Sequence, residues 1–163
     1  MRRAEREITD AAALAGILGR AGYAVLAFLD GGTPALVPVS FGFRQEEDGR
    51  FVFYFHSAVE GHKIDCLRED SRVSLCAVGD NRIELGTPVC RSTCRYESVI
   101  ATGRIEFVTA PEAKRRALDC LMNHCGAPGS FDYPEPMLER TAILRLVAET
   151  ISGKSNFSPA PRA

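Results

Sequence analysis

The segment Phe55-His-Ser-Ala-Val-Glu-Gly-His-Lys-Ile-Asp65 gathers the residues best suited to chemistry. An aromatic run ends at Phe55, a turn of small residues follows, and a helix is expected from about Gly61 to Arg68. The first turn of a helix offers backbone N–H groups with no intrahelical acceptor, at the positive end of the macrodipole, so it favours an anion. Gly61 lets a ligand approach the backbone, Lys63 supplies a full positive charge, and His62 and Ser57 can donate from ring and hydroxyl. That set suits a terminal phosphate. The competing reading is a solvated surface lysine, which at this end of a helix opposes the dipole by about 0.3–1 kcal/mol. His56, at the strand end, is either a histidine bonded to backbone or a base or ligand.

The other reactive side chains organise less well. Cys66, Cys76, Cys90, Cys94, Cys120 and Cys125 contain no CxxC pair, and His124 does not complete a zinc set. The expectation is packing thiols and no metal centre. There is no GxGxxG nicotinamide fingerprint.

The elements that must position these residues read mostly as strands. A helix from about Asp10 to Arg20, capped by Thr9 or Asp10, carries Leu14, Ile17 and Leu18 at helical spacing. Strands follow at Tyr23–Leu29, Ala35–Phe43 and Arg50–Phe55, joined by Asp30-Gly31-Gly32 and a polar loop, which suggests an antiparallel meander. Pro38 marks its strand as an edge or a bulge. Ser71–Val78 is a fourth strand, Asn81–Cys94 an irregular excursion, and Tyr96–Val108 a long strand in which Gly103 marks a bend. Thr109-Ala-Pro-Glu112 reads as a capping box opening a helix to about His124, with Ala117, Leu118, Leu121 and Met122 on its buried side. A loop over 126–136 and a strand over Ala142–Ile151 complete the core. The fold expected is mainly β with flanking helices: a small antiparallel barrel whose long strands must close or pair with a second copy.

The chain has 163 residues, 45% of them hydrophobic and 25% charged, with 20 basic against 21 acidic side chains and a net charge of −1. One domain over 1–155 with a flexible tail over 156–163 is expected. The charge balance argues against nucleic acid gripped through bulk positive charge and against a polybasic membrane anchor. No apolar run reaches the roughly 20 residues of a membrane span, and the charged opening Met1-Arg-Arg-Ala-Glu-Arg does not read as a signal peptide, so the expected location is the cytoplasm.

His56-Ser57-Ala58-x-x-Gly61-His62-Lys63-Ile64-Asp65 resembles the signature of the pyridoxamine 5′-phosphate oxidase-related flavoproteins, closest to their nitroimidazole-resistance branch. Arg95-Tyr96-Glu97-Ser98-Val99-Ile100 with Gly103-Arg104 fits as a second block, and Met1-Arg2-Arg3, Ala35-x-Val37-Pro38-Val39-Ser40-Phe41 and Ile151-Ser152-Gly153-Lys154 agree. The resemblance implies an FMN-binding split β-barrel, built as a homodimer with flavin at the interface. It implies that Gly61, His62 and Lys63 hold the FMN phosphate with Ser57 beside it. Val37, Pro38 and Val39 would run along the isoalloxazine edge, and Phe55 and His56 would line the ring or ribityl chain. Ser98, Val99 and Lys154 would contribute from other strands, Ser98 and Val99 in part to the partner's flavin. The implied activity is an FMN-dependent oxidoreductase that passes electrons from a reduced donor to a small acceptor such as a nitro-aromatic or quinone, with His56 catalytic. The cradle leaves FAD open. The arginine-rich substrate-phosphate set of the biosynthetic oxidases is missing from the late region, so pyridoxamine phosphate oxidation is not expected. The alternative is a non-enzymatic flavin- or haem-binding module, with His56 and His62 as axial haem ligands.

Overall fold

In the computed structural model, residues 3–157 are described. The strands are β1 (Glu7–Ile8), β2 (Ala24–Asp30), β3 (Thr33–Val39), β4 (Gly42–Gln45), β5 (Phe51–Ala58), β6 (Arg72–Glu84), β7 (Thr93–Val108) and β8 (Thr141–Ser155). The helices are α1 (Ala11–Arg20), α2 (His62–Glu69), α3 (Pro111–His124) and α4 (Glu135–Glu139), with short 3₁₀ turns at Ala4–Arg6 and Val89–Arg91. The Met1-Arg2 part of the opening motif and residues 158–163 of the expected tail lie outside the described residues.

All strands join one antiparallel sheet in the order β3-β2-β6-β7-β8-β5-β4, with β1 paired to β8. The expected single strand Ala35–Phe43 is therefore two strands at opposite ends of that order. Ser40 and Phe41 carry the chain from one edge to the other. Three residues span at most about 11 Å, so the two edges must come together and the sheet curls into a barrel left open along one seam. The expected meander is replaced by β2–β3 and β4–β5 hairpins on opposite sides of that seam. Pro38 sits on the edge strand, paired with Val25 and needing no second ladder.

Alternation sets two cores. Phe51, Phe53 and Phe55 of β5 point into the barrel with Leu14, Ile17 and Leu18 of α1, Leu26, Leu75, Val99, Leu144 and Leu146. Val52 and Tyr54 point the other way, onto Ala117, Leu118, Leu121, Tyr133 and Leu138 around α3 and α4. Met122, expected inside, lies on the exposed rim of α3. Gly42 makes the close approach of α3 feasible: a Cβ there would sit 2.6 Å from the Cys120 carbonyl carbon.

Local chemistry explains the boundaries. Asp10 caps α1, its Oδ2 accepting from the Ala13 amide at 2.8 Å. Gly31 and Gly32, at φ 55° and 86°, make the tight β2–β3 turn. The β7–β8 register slips between Thr102 and Gly103, where a Cβ would meet the Val147 carbonyl oxygen at 2.5 Å. The Thr109–Glu112 capping box does not form. Pro111 takes the first helical position, Ala110 becomes the cap, and no side chain caps the start. The excursion after Val78 is more regular than expected, because β6 resumes pairing at Asn81–Glu84 beyond a bulge. The last strand runs on to Ser155. Asn156, expected in the tail, accepts from the Tyr96 amide at 2.7 Å and donates to the Cys94 carbonyl at 2.8 Å.

Candidate functional site

The β5–α2 junction is built as the sequence predicts. Gly61 caps α2 at φ 129°, with nothing within 4 Å of where a Cβ would stand. The Ile64 and Asp65 amides fold back on the Gly61 carbonyl at 2.8 and 3.1 Å. The amides of His62 and Lys63 precede these and have no carbonyl behind them in the helix. Ile64, Cys66 and Leu67 anchor the opposite face of α2 in the barrel core.

Lys63 is half-buried, and burial holds its amine pKa below the ordinary lysine value. Its ammonium makes no hydrogen bond and no ion pair with any described residue. A desolvated cation at a helix N-terminus opposes both burial and dipole unless an anion joins it. His62 behaves differently. Its Nε2 lies 2.6 Å from Asp30 Oδ2, at the end of β2. The hydrogen bond to Asp30 raises the imidazole pKa, and the same bond lowers the Asp30 carboxyl. Cys66, one turn along the helix, puts its Sγ 3.7 Å from that Nε2. The sequence marks Asp30 only as a turn residue; it is 32 positions from His62, and no local pattern joins them.

The remaining site residues fall into separate places. Ser57 shares the barrel-facing side of β5 with Phe55, which is buried. His56 alternates to the other side, exposed, and faces a cavity of about 290 Å³ walled by Ser40, Leu118, Leu121, Tyr133 and Met137. His62 is not among the residues that wall this cavity. Val37 and Val39 pack half-buried on the barrel core while Pro38 is exposed, on a strand that β2 pairs on one side only. Ser98 and Lys154 are direct cross-strand partners, and Val99 faces Gly153. This group lies at the far end of β8: Ile143, which pairs His56, is about 36 Å of strand away from Lys154. There Lys154 Nζ sits 5.6 Å from the Tyr96 ring centroid, and hydrogen bonds from Lys154 and Arg6 lower the tyrosine pKa.

The thiols are all free, and Cys90, Cys94 and Cys125 are exposed rather than packed inside. His124 lodges between Phe41 and Phe43, and its Nε2 is 2.9 Å from the Ala21 carbonyl, a structural role.

Residues 10–155 match the family model described as pyridoxamine 5′-phosphate oxidase. The chain belongs to that family. This pyridoxamine 5′-phosphate oxidase-family chain is also similar to several solved structures. One is a candidate 5-nitroimidazole antibiotic resistance protein from Bacteroides thetaiotaomicron, 27% identical with a TM-score of 0.80, over 91% of this chain and 86% of that one. Another is the flavocytochrome Anf3 from Azotobacter vinelandii, 21% identical with a TM-score of 0.77, over 100% and 75%. A third is the FAD and heme binding protein from Mycobacterium smegmatis, 22% identical with a TM-score of 0.78, over 96% and 77%. The latter two likenesses speak for the split-barrel fold. Comparison with curated proteins found no match. No helix among the described residues is long and apolar enough to cross a membrane.

Proposed function

We propose that this chain binds flavin mononucleotide through the first turn of α2 and acts as an oxidoreductase on a small planar acceptor. The observation that carries the reading is Lys63: half-buried, in a helical first turn, without a counter-ion among the described residues. A phosphate supplies the missing charge, and the His62 and Lys63 amides supply donors. With Nε2 bonded to Asp30, His62 still has its Nδ1 edge to offer. Gly61 leaves the approach open, and Ser57 adds a hydroxyl. The same cradle accepts FAD if the adenylate hangs outside.

Val37, Pro38 and Val39 offer an unpaired strand edge for the polar rim of the ring, and Phe55 is buried in the core against which Val37 and Val39 pack. Ser40 continues from that edge into the wall of the His56 cavity. A ring lying along the edge therefore ends where His56 can donate a proton or hydrogen bond to an acceptor. The apolar walls suit a nitro-aromatic or quinone, in keeping with the 27% identical nitroimidazole-resistance relative. Bound flavin would supply the electron-transfer chemistry, and the protein supplies position and electrostatics. Ser98, Val99 and Lys154 complete the site in a homodimer, from the partner's long strands. The chain then works without nucleic acid or membrane, in the cytoplasm.

The test is spectroscopic. The purified protein should carry a flavin absorption spectrum, release FMN by mass, bleach with a reduced nicotinamide and recover with a nitro-aromatic. A colourless preparation that refuses added FMN in calorimetry overturns the reading.

A further inference from the structure

Asp30, His62 and Cys66 each offer one ligand atom, and the three atoms lie within 4.8 Å of one another. His62 and Cys66 stand at i and i+4, on one face of α2, and Asp30 reaches them from the end of β2. We propose that these three side chains form a binding site for a divalent d-block cation, with zinc as the best match, beside the phosphate cradle and sharing His62 with it.

The donor set fits. Imidazole, thiolate and carboxylate are the three zinc ligand types, and an open fourth position for water is the pattern of three-ligand sites. The geometry is close to what a tetrahedral ion needs. With zinc–nitrogen and zinc–sulfur bonds of about 2.0 and 2.3 Å, the two donors should stand about 3.5 Å apart. Sγ and Nε2 stand at 3.7 Å. The corresponding nitrogen–oxygen spacing is about 3.3 Å, against 2.6 Å from Nε2 to Oδ2. Asp30 must swing out by about 0.7 Å, which a half-exposed carboxylate on a hairpin corner can do. Burial holds the thiol in place: Cys66 is 5% exposed, while the His62 side chain opens to solvent on the entry side.

Charge balance favours the ion. Ionised Asp30 and Cys66 carry two negative charges, which a dication neutralises. Metals take cysteine as thiolate and histidine as neutral imidazole, so affinity rises with pH. The sequence hides the site because its third ligand sits on a different element from the i, i+4 pair.

The experiment uses the full chain, stripped with a chelator and titrated with cobalt(II) as a coloured stand-in for zinc. One equivalent should bind, with a thiolate-to-cobalt charge-transfer band, and zinc should displace it. Cys66→Ser should abolish the band. Asp30→Asn, a surface change that keeps the fold, should weaken cobalt affinity at least tenfold. Wild-type protein without the band, or an Asp30→Asn protein that binds cobalt as tightly as wild type, overturns the proposal.

Discussion

A lysine that gives up water without gaining a carboxylate is held at a disadvantage until an anion arrives, and that is the situation of Lys63. Lys63→Ala should weaken FMN binding ten- to hundredfold, since a charge-assisted phosphate contact is worth about 1.5–3 kcal/mol. Calorimetry reads this directly, and unchanged affinity removes Lys63 from the site. His56 stands on the other side of β5 from Ser57, against the apolar cavity. His56→Ala should lower nitro-aromatic turnover by about 10²-fold while FMN affinity stays nearly constant. Equal turnover would end its proposed role. The His62–Asp30 pair makes stability depend on pH in a definite sense. Asp30 raises the His62 pKa, so this contribution is complete below the ordinary imidazole value of about 6.5 and disappears as pH rises through the raised one. Asp30 is lowered, so its share is present above about pH 4 and disappears as pH falls through its lowered pKa. In chelator-stripped protein the Tm difference between wild type and Asp30→Asn should therefore peak near about pH 5–6, and shrink in alkali and at high salt. A difference that grows with pH contradicts the pair as drawn.

At the scale of elements, glycines decide how closely strands and helices meet. Gly42 lets the backbone of α3 lie directly on β4, and α3 carries the Leu118 and Leu121 wall of the His56 cavity. Gly42→Ala should cost about 1–3 kcal/mol by overpacking and disturb that cavity, readable as a lower denaturation midpoint. A neutral substitution would mean that α3 can retreat freely. Much at this scale was legible in sequence. The α1 cap, the Gly31-Gly32 turn, the Gly103 slip and the α2 start all rest on local residue chemistry. What was not legible depends on distant partners. Ala35–Phe43 is continuously strand-like, and nothing within it says that Val39 and Gly42 belong to opposite sheet edges. The short helix α4 is not legible because its Pro and Glu residues resemble a loop, and Leu138 joins Leu118 and Leu121 in a core cluster that only the fold assembles.

The whole molecule divides the candidate site. The β5–α2 junction lies at one end of β8 and Ser98, Val99 and Lys154 lie at its other end, while Val39 of the β3 edge shares a cross-strand row with Val99 and Gly153 through Ala24 and Ala77. Motif matching brought these residues together as one set. The two ends of β8 are separated by many residues of strand, and the proposed homodimer would unite them. Sedimentation should therefore show a dimer that keeps its flavin, and a monomer that retains FMN tightly would contradict the shared site. The most direct test of the account compares FMN with riboflavin, which shares the ring and ribityl chain but has no phosphate, in calorimetry of the full chain. The prediction is that FMN binds at least tenfold more tightly and that Lys63→Ala erases the gap; riboflavin binding as tightly as FMN would contradict the central claim.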